Sequence, residues 1–139
     1  MTVFDTDVFV EILAGNSRFV ERAAAFSPYQ QSITIVSVEE MVRARLHAIR
    51  RSEAGRGGIT IERAYELLGR SVNDFQRLII LPYTGGAESL FRNWREQKVR
   101  VSTHDLRIAA ICRDHSATLA SRNRRDFEQI PGLAVEFWE

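Results

Sequence analysis

The sequence predicts an α/β fold: a small, mostly parallel sheet set between helices. Three features carry that expectation. Short β-branched or aromatic runs alternate with segments of helical period, such alternation favours parallel strands, and carboxylates recur just past the ends of the strand-like runs. Parallel strands place their C-terminal ends on one edge, where α/β sheets collect ligands.

The first run, Met1-Thr2-Val3-Phe4, drives straight into Asp5-Thr6-Asp7. Val3 and Phe4 suit a buried strand, so Asp5 falls at its end and is a site candidate. Asp7 to Leu13 reads as a short helix stopped by Gly15-Asn16, and Ser17 is expected to cap a second helix running to about Phe26, before Pro28. Ser32-Ile33-Thr34-Ile35-Val36-Ser37 reads as a second strand, after which Val38-Glu39-Glu40-Met41 opens a helix with Glu40 in its first turn. That helix carries Met41, Val42, Leu46 and Ile49 inward and its arginines outward. Gly55, Gly57 and Gly58 mark a flexible loop at Ser52 to Gly58.

From Ile59 to Leu78, apolar residues at Ile61, Ala64, Leu67, Leu68, Val72 and Phe75 keep a helical period. Ile79-Ile80-Leu81 reads as a short buried strand ended by Pro82, and Gly85-Gly86 leads into a helix from Ala87 to Gln97. Val99-Arg100-Val101 repeats the strand-then-carboxylate pattern before Ser102-Thr103-His104-Asp105, and a helix follows to His115. Ala117-Thr118-Leu119-Ala120-Ser121 is a further strand-like run that leaves Asn123 and Asp126 just past its end. Val135-Glu136-Phe137-Trp138 reads as a closing edge strand.

Composition narrows the class. At 139 residues and 45% hydrophobic, the chain suits one domain spanning 1–139. No run approaches the ~18 to 20 apolar residues of a membrane span, and the N-terminus lacks the order of a signal peptide. A cytoplasmic protein with no membrane association is expected. Cys112 is the single cysteine, so no internal disulfide or thiolate zinc cage can form, and a buried structural thiol is the reading.

Net charge is only +1, yet all but one of the 19 basic residues are arginine. Arginine's planar fork suits phosphate, and a GC-rich genome favours arginine codons equally. Placement says more: Arg43, Arg45, Arg50, Arg51 and Arg56 cluster on one helix and its loop, while Arg122, Arg124 and Arg125 surround the last acidic cluster. Basic side chains beside carboxylates are what a phosphodiester-binding site needs.

Asp5, Glu40, Asp105 and the Asn123/Asp126 pair are therefore expected to converge on one sheet edge. Singly, each carboxylate also fits a helix-capping role. Ser37-Val38-Glu39-Glu40 matches a capping box, as Ser102-Thr103-His104-Asp105 nearly does. Asp5 fits capping less well, since Thr6 or Asp7 could cap the helix that follows. As a set, crowded carboxylates repel one another and call for a cation. Oxygen-only ligands suit Mg²⁺ or Mn²⁺, and such an ion activates water and holds phosphate oxygen, which leads to phosphodiester hydrolysis. A metal-free route through two of His47, His104 and His115 is the competing chemistry. His115 at a helix end and His47 on an arginine-rich face suit capping or solvated roles, while His104 adjoins Asp105 and could tune the site.

Taken in order, Asp5-Thr6-Asp7, Ser37-Val38-Glu39-Glu40-Met41, Thr103-His104-Asp105-Leu106-Arg107-Ile108-Ala109-Ala110, Ser121-Arg122-Asn123-Arg124-Arg125-Asp126-Phe127 and Ile130-Pro131-Gly132-Leu133 with Trp138 resemble the PIN-domain ribonucleases. Among these the chain is most similar to the VapC toxins of bacterial toxin–antitoxin pairs, over essentially its whole length. The resemblance implies a three-layer α/β/α sandwich, endonucleolytic cleavage of RNA with Mg²⁺ or Mn²⁺, a homodimer, and a small antitoxin that blocks the site. The family's three central acidic positions match Asp5, Glu40 and Asp105, with Glu39 the neighbour should the register slip by one. The fourth matches Asn123, with Asp126 nearby as a substitute or supporting ligand, and this departure bears on a second metal. Thr6 and Ser121 match positions that hydrogen-bond the cluster, and Arg122, Arg124, Arg43 and Arg45 are candidate RNA contacts. Two other roles share the pattern: a housekeeping nuclease in RNA processing, and a catalytically silent module that binds nucleic acid or protein.

Overall fold

The computed structural model describes residues 1–139. Five strands, β1 (Thr2–Phe4), β2 (Gln31–Thr34), β3 (Ile79–Leu81), β4 (Thr118–Ser121) and β5 (Val135–Phe137), form one sheet in the order β3-β2-β1-β4-β5, with every neighbouring pair parallel. Parallel neighbours need crossovers, and helices supply them. These are α1 (Thr6–Leu13), α2 (Ser17–Ala24), α3 (Ile35–Glu53), α4 (Ile61–Phe75), α5 (Gly85–Glu96), α6 (Thr103–Asp114) and the single turn α7 (Arg124–Phe127).

The two sides of the sheet are read off alternate residues. Val3 and Leu119, paired in register, join Leu81, Trp94, Leu106, Ile111 and Phe127 in a core under α5, α6 and α7. Phe4 and Ala120, the next pair, join Val8, Phe19, Ile33, Met41, Phe75 and Trp138 in a second core under α1, α2, α3 and α4. Strands covered on both faces read as continuous apolar runs. The expected α/β/α sandwich is the observed one, its sheet wholly parallel.

The chain leaves β1 toward β2 and β3, then returns to place β4 and β5 on the other side of β1. The connections after β1 and β4 thus part in opposite directions and open a crevice at the carboxyl ends of these two strands. Asp5 follows β1 and Ser121 ends β4, so both lie at that crevice.

Several boundaries differ from the sequence reading for identifiable reasons. The second strand stops at Thr34 because the Thr34 side chain accepts a hydrogen bond from Ser37 N at 3.1 Å and starts α3 at Ile35. Glu40 is consequently the sixth residue of α3 rather than part of its first turn, and Ser37 is no cap. Asn16, not Ser17, caps α2, and α5 begins at Gly85 behind a Thr84 cap. Val99-Arg100-Val101 is not a strand: the Arg95 guanidinium Nη1 donates to the carbonyls of Val99 (3.1 Å) and Val101 (2.9 Å), taking acceptors that a ladder would have used. β3 is an edge strand with Ile79 and Ile80 partly exposed rather than a buried one.

The α5 and α6 pair is locked at the end away from the site. Asp114, at the end of α6, accepts from Thr84 Oγ1 at 2.6 Å and packs its carboxylate against Gly86, where a Cβ would have to displace it. Cys112 is fully buried in the same layer, and burial pushes its thiol up, as expected of an inert structural cysteine. No helix is long and apolar enough to cross a membrane.

Candidate functional site

The crevice at β1 and β4 is lined by Asp5, Thr6, Asp7, Glu40, Asp105 and Asn123, with no apolar side chain among them. Asp5 caps α1, accepting from Thr6 N at 2.9 Å. The expectation that Thr6 or Asp7 would free Asp5 from capping is therefore not met, but capping occupies only one oxygen. The other accepts from Ser121 Oγ at 2.7 Å, and Ser121 Oγ in turn accepts from Asn123 N at 3.0 Å. Asp5 is 5% exposed, so its carboxylate is held in a buried and fixed position.

Thr6 reaches the other way. Its Oγ1 lies 2.8 Å from Glu40 Oε1 and 2.9 Å from Ser37 Oγ, which ties Glu40 of α3 to the start of α1 at the crevice. Glu39, one residue earlier, is exposed and paired with Arg43 at 2.8 Å, so the register places Glu40 in the crevice. Asp105 enters from the first turn of α6, its N–H donating to the Ser102 cap at 3.3 Å. Thr6 and Ser121 thus hydrogen-bond the Glu40 and Asp5 carboxylates.

Asn123 is committed to its own turn. It caps α7, its Oδ1 accepting from Asp126 N at 3.3 Å, while its Nδ2 donates to Asp126 at 2.9 Å and faces Asp105 Oδ2 at 3.5 Å. It offers the crevice an amide N–H rather than a free oxygen. Asp126 does not line the crevice but stands behind Asn123, near enough for its charge to bear on Asp105.

The electrostatics are those of a site short of positive charge. Burial, then the charge of Asp7, then that of Asp105 push the Asp5 carboxyl up to about 7, against the hydrogen bond from Ser121. Burial and the charges of Glu40, Asp126 and Asp7 likewise raise Asp105, opposed by its Ser102 hydrogen bond. Asp7 Oδ1 is buried with no hydrogen-bond partner at all. No arginine lines the crevice.

This donor set fits a hard divalent cation in charge and chemistry: oxygen ligands only, one of them orphaned, with no internal cation to neutralise them. No three carboxylates or histidines are already closed around one point. Mg²⁺ binds through one or two carboxylates while keeping several waters, so an open half-ring suits it better than it would suit zinc.

The candidate arginines are engaged elsewhere. Arg45 Nε donates to Ser71 Oγ on α4 at 2.9 Å, Arg43 pairs with Glu39, and Arg122 pairs with Glu11 at 3.1 Å over the Phe19 ring. Arg124 pairs with Glu128 and Glu139 and lies 4.3 Å from the Phe137 ring centre. His115 Nδ1 meets the Ile111 carbonyl at 3.0 Å, a capping role. His104 stands between Glu39 (3.4 Å) and Glu40 (3.9 Å).

Sequence reasoning passed over Asp7 as a spare cap and His47 as solvated. The signal for Asp7 was the Asp5-Thr6-Asp7 spacing itself. His47 lines a hollow with Glu40, Arg43, Ala44 and His104, one turn of α3 beyond Arg43.

No family model and no curated protein matches the chain by sequence, while its structure is similar to several that have been solved. A chain of DNA-bound VapBC from Salmonella typhimurium is 20% identical with a TM-score of 0.77, covering 99% of this chain and 98% of that one. VapBC2 from Rickettsia felis, bound to a DNA fragment from its promoter, gives 19% and 0.76 with the same coverage. FitAcB from Neisseria gonorrhoeae gives 21% and 0.73, covering 97% and 96%. Likeness at these identities is one of fold, and end-to-end coverage places the whole chain within it: a PIN-like α/β/α fold shared with chains of the VapBC and FitAB structures.

Proposed function

We propose that the protein is a Mg²⁺- or Mn²⁺-dependent endoribonuclease that serves as the toxin of a toxin–antitoxin pair. The observation that carries this reading is the crevice in which Asp5, Asp7, Glu40 and Asp105 meet with no basic side chain among the lining residues, on the carboxyl edge of a parallel sheet. A bound divalent ion would lower the pKa of a water and stabilise charge on the phosphate. Asp5, Glu40 and Asp105 would hold the ion. Ser121 and Thr6 fix the Asp5 and Glu40 carboxylates through the hydrogen bonds described above, so the ligand oxygens are set before metal or substrate arrives. Burial of Asp5 favours a bound cation over solvent as its counter-charge.

A strand-shaped substrate is supported by the surface beside the crevice. Glu40 is shared with the hollow of Arg43, Ala44, His47 and His104, and that hollow shares Arg43 and His47 with a third one along Val42, Leu46 and Arg50 of α3. The groove runs from acidic to basic, as a polyanion reaching toward a metal requires. The fold shared with VapBC and FitAB complexes supports a small protein partner, the antitoxin, and a homodimer is part of the same reading.

Purified protein should cleave single-stranded RNA with Mg²⁺ or Mn²⁺ and not with chelator, and Asp5→Asn, Glu40→Gln and Asp105→Asn should each abolish cleavage while leaving the protein folded. Expression alone should arrest growth, and co-expression of the product of a small adjoining gene should restore it. Full cleavage by Asp5→Asn would sink the mechanism. Harmless expression of cleaving protein would move the role from toxin to housekeeping nuclease.

A further inference from the structure

Three carboxylates lining the crevice, and Asp126 behind it, have donors: Asp5 has Thr6 N and Ser121 Oγ, Glu40 has Thr6 Oγ1, and Asp105 and Asp126 share the Asn123 amide. Asp7 has none. It sits in the first turn of α1, where an acidic side chain can satisfy a backbone N–H, yet its buried Oδ1 accepts from nothing, and the cap of that helix is Asp5. A buried anionic oxygen without a partner is costly unless something cationic completes it. Across the crevice, the position from which a fourth acidic charge is expected holds Asn123, whose carbonyl oxygen is turned into α7.

Resting on the metal-dependent reading above, we propose that Asp7 completes the cation-facing set and supplies the charge that Asn123 lacks. The two residues enter the same crevice from opposite sides, Asp7 from the helix after β1 and Asn123 from the turn after β4. Transfer of one charge from the second side to the first keeps the total negative charge that a hard cation needs. Asn123 then serves as a positioning residue: its amide holds Asp126 and faces Asp105, while its backbone N–H donates to the Ser121 hydroxyl that grips Asp5.

The test is calorimetric titration of Mn²⁺ into the purified full chain, with thermal melts in chelator and in Mn²⁺. Asp7→Asn and Asp7→Ser should both weaken Mn²⁺ binding by on the order of ten- to a hundredfold, and both should shrink the rise in melting temperature that Mn²⁺ produces. Their melting temperature in chelator should stay level or rise, because one half-buried carboxylate of a crowded acidic set has been removed. Asn123→Asp placed on Asp7→Asn should recover part of the lost affinity. Unchanged Mn²⁺ affinity in both single variants, with a lower melting temperature in chelator, would show that Asp7 acts only as a helix N-terminal charge and would overturn the inference. Failure of the unsubstituted protein to bind Mn²⁺ would instead overturn the metal reading, and this inference with it.

Discussion

Asp5 is at once a structural residue and the most buried carboxylate of the crevice. Its backbone follows β1 and donates to the Ala120 carbonyl at 2.9 Å, one carboxylate oxygen caps α1 and the other is gripped by Ser121, so the residue cannot leave the crevice without undoing three local contacts. The same burial makes its charge expensive. With its carboxyl raised to about 7 in the fold, against the ordinary value of about 4 in an unfolded chain, the folded form binds a proton more tightly than the unfolded one. The contribution to stability is complete below the unfolded value and is lost as pH rises through about 7; Asp105, raised as well, adds in the same direction. Melting temperature in chelator should therefore fall between about pH 4 and pH 7. Asp5→Asn should flatten much of that fall, and saturating Mg²⁺ should offset it by favouring the ionised form. A profile that rises toward pH 7 in chelator would show that the carboxylates are already compensated from within.

At the scale of elements, α3 links the site to the groove. Glu40 faces the crevice on its second turn, Arg43 and His47 follow one turn apart, and Arg50 lies beyond them. Arg45 projects to α4 and ties the two helices through Ser71. Arg50→Ala should weaken RNA binding across sequences and flatten its log–log salt dependence by about 0.7, the effect of leaving one phosphate of a single strand without its counter-charge. Arg45→Ala should instead lower stability by about 1 kcal/mol with little change in salt slope. Arg22 of α2, which lies 4.9 Å from the Trp138 ring centre and lines neither the crevice nor the hollows along α3, is the control. These affinities belong in an Asp5→Asn background, where no cleavage occurs, and an equal loss of RNA affinity in all three variants would mean that the groove along α3 carries no strand.

What the sequence revealed divides along the same lines. Asp5 and the end of β4 were legible because a short apolar run breaking into polar residues marks a parallel strand's end, and both crevice strands do this. Asp105 was found for a partly wrong reason: the expected strand before it is a loop held by Arg95, a side-chain contact that periodicity cannot reveal. The start of α3 was misplaced by three residues because β-branched Ile35 and Val36 favour strand, while the Thr34 cap overrides them. That Arg45 and Arg122 are engaged was hidden, since their partners Ser71 and Glu11 lie far away in the chain, whereas Arg43–Glu39 and Arg124–Glu128 are pairs that helical spacing allows.

At the scale of the whole molecule, the last strand fastens the site. β5 lies beside β4, and Trp138 N donates to the Ser121 carbonyl at 2.9 Å, so the residue whose hydroxyl grips Asp5 is itself held by the chain's penultimate residue. The Trp138 ring closes the second core: Phe4 meets it edge-on with centroids 5.6 Å apart, Phe26 stacks at 6.2 Å, Phe19 lies at 6.4 Å, and Arg22 covers it. Its indole N–H is buried without a partner, so the ring serves by packing and not by hydrogen bonding. Trp138→Ala should accordingly cost about 3–5 kcal/mol in urea unfolding. Trp138→Phe should cost much less, since it keeps an aromatic edge for Phe4 and removes an unsatisfied donor. Because the backbone bond to Ser121 survives in the Phe variant, its Mn²⁺ affinity should stay near that of the unsubstituted protein. In the Ala variant the loosened strand should release Ser121 and weaken metal binding even at temperatures where the protein remains folded. Equal, small stability losses in both variants would show that the second core is closed without the tryptophan and that β5 does not brace the crevice.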